Sequence, residues 1–88
     1  MTNFTFIVTD PMGLHARPAG LLAKEAMKYN SKITLIKGDK SGDAKRIFNI
    51  MGLGIKSGDT VEITVEGEKE AEDKAALEAF VRENEAFE

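Results

Sequence analysis

Cysteine is absent from all 88 residues, which excludes disulfides, thiolate catalysis and cysteine-based zinc sites and fits a reducing compartment. Histidine is nearly absent. The single His15 cannot build a metal cage, so neither a metal nor another cofactor is expected. Long apolar runs are missing too. Met1 to Asp10 has neither a basic flank nor an extended apolar core, so no signal peptide and no membrane insertion are expected, and the cytoplasm is the expected compartment. Positive charge is also in short supply, with 12 basic against 15 acidic residues and a net charge of −3. Nucleic-acid binding rests on phosphate contacts, so no nucleic-acid partner is expected. What is present, 42% hydrophobic and 31% charged residues, suits one modest core in a single domain over 1–88. A chain this short buries only about 60% of the surface its unfolded form exposes.

The apolar residues fall into two periods. Phe4, Phe6 and Val8 alternate with Thr5, Ile7 and Thr9, and Val61, Ile63 and Val65 alternate with Glu62, Thr64 and Glu66, the mark of strands with one buried face. Ile33 and Leu35 begin another strand, which turns at Lys37-Gly38-Asp39-Lys40 into a hairpin. Between Ala16 and Tyr29, Leu22, Ala23, Ala26 and Met27 recur at helical spacing, with Lys24, Glu25 and Lys28 on the other side. Asn30 and Ser31 stop that helix. Ile47, Phe48, Ile50 and Met51, cut off by Gly52 and Gly54, suit one or two helical turns. Ala76, Leu77, Phe80 and Val81 form the stripe of a closing helix from Glu70 to about Glu85, whose acidic residues read as a solvated face. The order β-α-β-β-α-β-α predicts an α+β fold with an antiparallel sheet covered on one side by helices.

The unusual residues gather where the first strand hands over to the first helix. Asp10-Pro11-Met12-Gly13 supplies the turn. The first amides of a helix lack internal partners and, with the helix dipole, form a site for an anion such as phosphate. His15 stands beside that site. A positive helix end disfavours the imidazolium form and keeps an imidazole lone pair available for attack. Arg17 adds a permanently charged fork matched to phosphate oxygens. Pro18 is tolerable in the first helical turn but biases Arg17 away from helical angles. From these residues alone, His15 reads more simply as a surface residue or loose cap, Leu14 belongs most simply to the core, and Gly13 and Gly20 serve the turn and close packing.

Gly-Leu-His-Ala-Arg-Pro-Ala at positions 13 to 19 resembles the active-site motif of HPr, the histidine-containing phosphocarrier family. The likeness extends through Lys45 to Phe48, Leu53 to Ile55 and Gly58 to Ile63, and so covers the chain. It implies an open-faced β-sandwich in which three helices cover one side of a four-stranded antiparallel sheet. It also implies a role that is not enzymatic. Enzyme I of the phosphoenolpyruvate-dependent sugar phosphotransferase system would phosphorylate His15 at Nδ1, and the group would pass to enzyme IIA domains. Arg17 would neutralise the phosphoryl oxygens, the backbone amides of Ala16 and Arg17 would bind them, and the protein would act as a monomer. Partners would dock on Gly20, Lys24, Met27, Ile47, Phe48 and Met51. Ile47 and Phe48 fit a core role as well as a docking role, whereas flexible Met51 suits a surface that meets several partners.

One position departs from the family pattern. Many HPr proteins carry a regulatory serine just before the second helix, and Arg46 stands there. The hydroxyl is gone, so an HPr kinase is expected to leave position 46 unmodified. A different role, as an HPr-like regulator that acts by protein binding in a nitrogen-related or sugar-specific branch, is argued against by the retained His15 and Arg17. A small α+β nucleic-acid binder would need a basic sheet face, whereas Glu62 and Glu66 punctuate the last strand.

Overall fold

The alternating segments become one sheet in the computed structural model, which describes residues 1–84 and Phe87. The elements run β1 (Thr2–Ile7), α1 (Ala16–Ala26), β2 (Lys32–Lys37), β3 (Lys40–Asp43), α2 (Ile47–Met51), β4 (Thr60–Glu66) and α3 (Glu70–Glu83). The sheet has four strands in the order β1-β4-β2-β3, each neighbouring pair antiparallel. β4 lies in the middle because it buries Val61, Ile63 and Val65 between partners of the same alternation: Phe4 faces Ile63, Phe6 faces Val61, and Leu35 also faces Ile63. The opposite face carries Thr5, Lys32, Thr34, Glu62 and Thr64, and there Asn3 donates to Glu62 Oε2 at 2.6 Å. This is the open face of an open-faced sandwich.

β3 has no large apolar residue to drive it inward. Its order comes from pairing with β2 across the Gly38-Asp39 turn, where Gly38 takes a φ of 60°.

The helices close the other face. Leu22, Ala19, Ala23 and Ala26 of α1, Ile50 of α2, and Leu77 and Val81 of α3 are buried with the strand residues, as is Phe87. Burial of a side chain such as Leu22 contributes about 1.5–3 kcal/mol. α1 ends at Ala26 rather than at Tyr29. The amides of Lys28 and Tyr29 bond three residues back, to Glu25 and Ala26, so the last turn tightens as the chain swings toward β2. Met27, whose amide still bonds four residues back to Ala23, falls at the edge of the buried stripe, on the side of Gly20 and Lys24, and is 67% exposed. Ala76, also assigned to a buried stripe, is exposed, and half-buried Phe80 packs on the core beside Leu77 and Val81. The expected end of the closing helix, near Glu85, lies outside the described residues.

The acidic residues of α3 do more than face water. Glu70, Glu72 and Asp73 occupy its first turn, where the positive end of the helix dipole favours them. Asp73 accepts a hydrogen bond from the buried Ser31 hydroxyl at 2.5 Å, tying the entry to β2 to the start of α3. Glu70 pairs with the terminal amine of Met1 at 2.8 Å.

Two loops fix the beginning of α1. Val8 donates to the Asp59 carbonyl and accepts from the Gly58 amide, while Leu14, itself buried, donates to the Ile55 carbonyl at 3.1 Å. Gly13 makes this approach possible. Its φ is 70°, and a Cβ there would lie 2.3 Å from the Ile55 carbonyl oxygen. Asp59 holds its own loop: its carboxylate accepts from the Lys56 amide at 2.8 Å and faces Lys37 Nζ at 3.1 Å. The Lys56 amide, followed by Lys37, pulls its pKa below the ordinary value of 3.8.

Gly13→Ala is expected to cost about 2–4 kcal/mol, from positive φ and overpacking together, in urea unfolding; a loss under about 0.5 kcal/mol would contradict the close approach. Arg46 caps α2 with an extended backbone and no side-chain bond to the helix, so Arg46→Ser should raise stability by about 0.5–1 kcal/mol. An unchanged urea midpoint would contradict that. Because its folded pKa is depressed, Asp59 contributes stability above its unfolded pKa that is lost as pH falls through the folded value. The stability gap between wild type and Asp59→Asn should thus hold at neutral pH and narrow below about pH 4; a constant gap down to pH 2 would contradict it.

Candidate functional site

His15 is the cap of α1. Its backbone is extended (φ −85°, ψ −168°), its carbonyl accepts the first helical bond from Ala19 at 2.9 Å, and its side chain makes no capping bond. The ring is thus left for other work. Ala16, Arg17 and Pro18 are the first three helical residues. Pro18 has no amide to offer, which leaves the amides of Ala16 and Arg17 as the free donors of this helix end; neither has a hydrogen-bond partner among the described residues. The bias that Pro18 places on Arg17 is overcome, because Arg17 is helical while the Pro18 ring is fully buried.

Arg17 is exposed and has no ion-pair partner among the described residues. Its guanidinium is available for an anion at the helix start. No acidic residue lies in the first turn of α1 to compete for that position. Two amides, a helix dipole and an unpaired guanidinium beside an imidazole can accept a dianionic group and hold it without enclosing it.

Asp10 is the residue that motif reading missed. Its Oδ2 lies 3.6 Å from His15 Nε2, with the side chains 18% and 31% exposed respectively. In the sequence it reads as a turn former, and it is one: Oδ1 accepts from the Met12 amide at 2.9 Å, and its carbonyl accepts from Gly13 at 2.8 Å. Only the folding of that turn against the helix start brings the second oxygen to the ring. Asp10 and His15 do not form part of any cluster of three or more metal-ligating side chains among the described residues.

The predicted docking residues divide between helices α1 and α2. Arg17, Gly20, Lys24 and Met27 follow one another at three- and four-residue steps along one face of α1. Gly20 lies where the two helices meet: a Cβ there would stand 3.5 Å from Ile47 Cδ1, an ordinary contact distance. Ile47 is half-buried and packs against the core. Phe48 goes the other way at 83% exposed, and Met51 is exposed at 41%. Met12 and Leu21, not singled out in the sequence, are also exposed. Their signal was present, an apolar residue in a turn and another off the buried stripe. Arg46 projects into solvent, 3.9 Å from Asp43.

Comparison with known proteins agrees with this geometry. A family model described as the PTS HPr component phosphorylation site matches residues 2–83. Phosphocarrier protein HPr of Mycoplasma capricolum is 49% identical over 67 residues, 76% of this chain and 75% of that protein. The protein of the same description from Mycoplasma genitalium is 40% identical over 85 residues, 96% of this chain and 97% of its own. A solved histidine-containing phosphocarrier protein, from work on the divergence of Mycoplasma from Gram-positive bacteria, is 38% identical and aligns with a TM-score of 0.91 over 99% of both chains. With a match over nearly the whole length, the same sheet and helices, and His15 and Arg17 at the start of α1, this chain belongs to the HPr family.

Proposed function

We propose that this chain receives a phosphoryl group on His15 from phosphorylated enzyme I and delivers it to enzyme IIA domains of the sugar phosphotransferase system, working as a monomer in the cytoplasm. The carrying observation is the imidazole at the cap of α1 beside two unpartnered amides and an unpaired Arg17. An HPr chain is a phosphocarrier, a protein substrate rather than a catalyst.

The chemistry follows from those groups. The Nδ1 lone pair forms a bond to phosphorus as the bond to the donor breaks, and the donor's leaving atom takes back its electron pair. Charge in such transfers spreads over the three equatorial phosphoryl oxygens, which the Ala16 and Arg17 amides and the Arg17 guanidinium can receive. Helix-dipole stabilisation of about 0.3–1 kcal/mol in an exposed setting holds the group without trapping it. A carrier must give up what it accepts. Gly20, Lys24, Met27, Ile47, Phe48 and Met51 form the docking face in this reading. Phe48 is its anchor, since a phenyl ring so exposed gains most from leaving water on contact with a partner.

Purified protein mixed with enzyme I and phosphoenolpyruvate should gain one acid-labile, base-stable phosphate, and His15→Ala should abolish it. Arg17→Ala should slow labelling by about tenfold or more, the loss of one charge-assisted contact of about 1.5–3 kcal/mol. Failure to label the wild type, or undiminished labelling of His15→Ala, would overturn the reading.

A further inference from the structure

We propose that Asp10 is a positioning residue for His15: its carboxylate holds the ring proton on Nε2 and so keeps the Nδ1 lone pair free for phosphorus. The inference rests on the phosphocarrier reading and deepens it. Of the two ring nitrogens, Nε2 faces Asp10 Oδ2 at 3.6 Å. That separation is a charge contact rather than a completed hydrogen bond, and such contacts often tighten only when a reaction partner binds. The carboxylate is not free to swing away. Its other oxygen is held by the Met12 amide at 2.9 Å, and its own carbonyl by the Gly13 amide at 2.8 Å, so the turn that leads into α1 also aims Oδ2.

A carboxylate accepts hydrogen bonds and cannot donate them. Beside Nε2 it therefore favours the tautomer with hydrogen on that nitrogen, and the lone pair is left on Nδ1. Covalent geometry points the same way. Nδ1 is attached to Cγ and lies closer to the backbone than Nε2, so a phosphoryl group on Nδ1 stays near the Ala16 and Arg17 amides. On Nε2 the same group would meet the Asp10 carboxylate and be repelled. The electron count also calls for an anion here: once Nδ1 has bonded to phosphorus, a ring that still carries its Nε2 hydrogen is positively charged. Asp10 faces that charge. No proton moves on or off the ring as the group arrives and leaves, since the donor's leaving atom and then the acceptor's nucleophile exchange only the bond to phosphorus.

Asp10→Asn and Asp10→Ser separate this role from that of the turn. Asn keeps an oxygen for the Met12 amide and puts an N–H donor where Oδ2 stood; Ser keeps a turn acceptor and removes the charge. In the ¹⁵N spectrum of the neutral ring, wild type should carry its hydrogen on Nε2, Asp10→Asn should shift it toward Nδ1, and Asp10→Ser should give a mixture. Labelling by enzyme I and phosphoenolpyruvate should fall by about tenfold or more in Asp10→Asn and less in Asp10→Ser, the range seen when a group that orients a ligating or reacting histidine is removed. A wild-type ring with hydrogen on Nδ1, or variants with an unchanged tautomer or an unchanged labelling rate, would overturn the role of Asp10 and leave the phosphocarrier reading standing. An unlabelled wild type would overturn both.

Discussion

The contact between the 8–14 segment and the 55–59 loop sets everything at the reactive end of the molecule. Leu14 donates to the Ile55 carbonyl, Val8 is bonded to Gly58 and Asp59, and Gly13 lets the two backbones approach closer than any side chain would permit. From that clamp the chain can only enter α1 with His15 as cap, because the His15 carbonyl must take the first helical bond from Ala19. The Asp10 turn, closed by the Met12 and Gly13 amides, lies in the same segment and brings Oδ2 to 3.6 Å from the ring. The position of the imidazole, the direction of the helix dipole and the placement of the carboxylate are thus set within one short stretch of chain.

Most of the fold could be read where side chains alternate strongly. β1 and β4 bury their aromatic and valine residues on one face, with Thr5, Ile7, Glu62 and Thr64 on the other, and their pairing in the structure follows that pattern residue by residue. β3 could be anticipated only through its turn, since Lys-Ser-Gly-Asp has no hydrophobic signal and its strand geometry comes from β2. The errors at Met27 and Ala76 share a cause. A periodic stripe says which face a residue occupies while the helix continues, but not where the helix ends or how wide its contact is. Ser31 and Asp73, 42 residues apart in sequence, had no local pattern to link them.

At the site the same distinction holds. His15, Arg17 and the helix amides are neighbours in sequence, so one motif displays them together. Asp10 is five residues away across a turn, and its side chain had a sufficient local reason to exist. Its second oxygen gains meaning only through a distance. Phe48 and Ile47 illustrate the converse: adjacent residues of the same chemical kind part company because a five-residue helix has room to bury only one side, with Ile50 inside and Phe48 out.

Arg46 caps α2 with an extended backbone and no side-chain bond to the helix, and its exposed guanidinium lies 3.9 Å from Asp43, so this helix start has no polar side-chain cap. Which atom bonds to phosphorus decides the role of every group at the start of α1. The most decisive measurement is the ³¹P and ¹⁵N NMR spectrum of the phosphorylated chain: phosphorus bonded to Nδ1 of His15, with hydrogen on Nε2, is the expected result. A phosphoryl group on Nε2, or on any other residue, would contradict it.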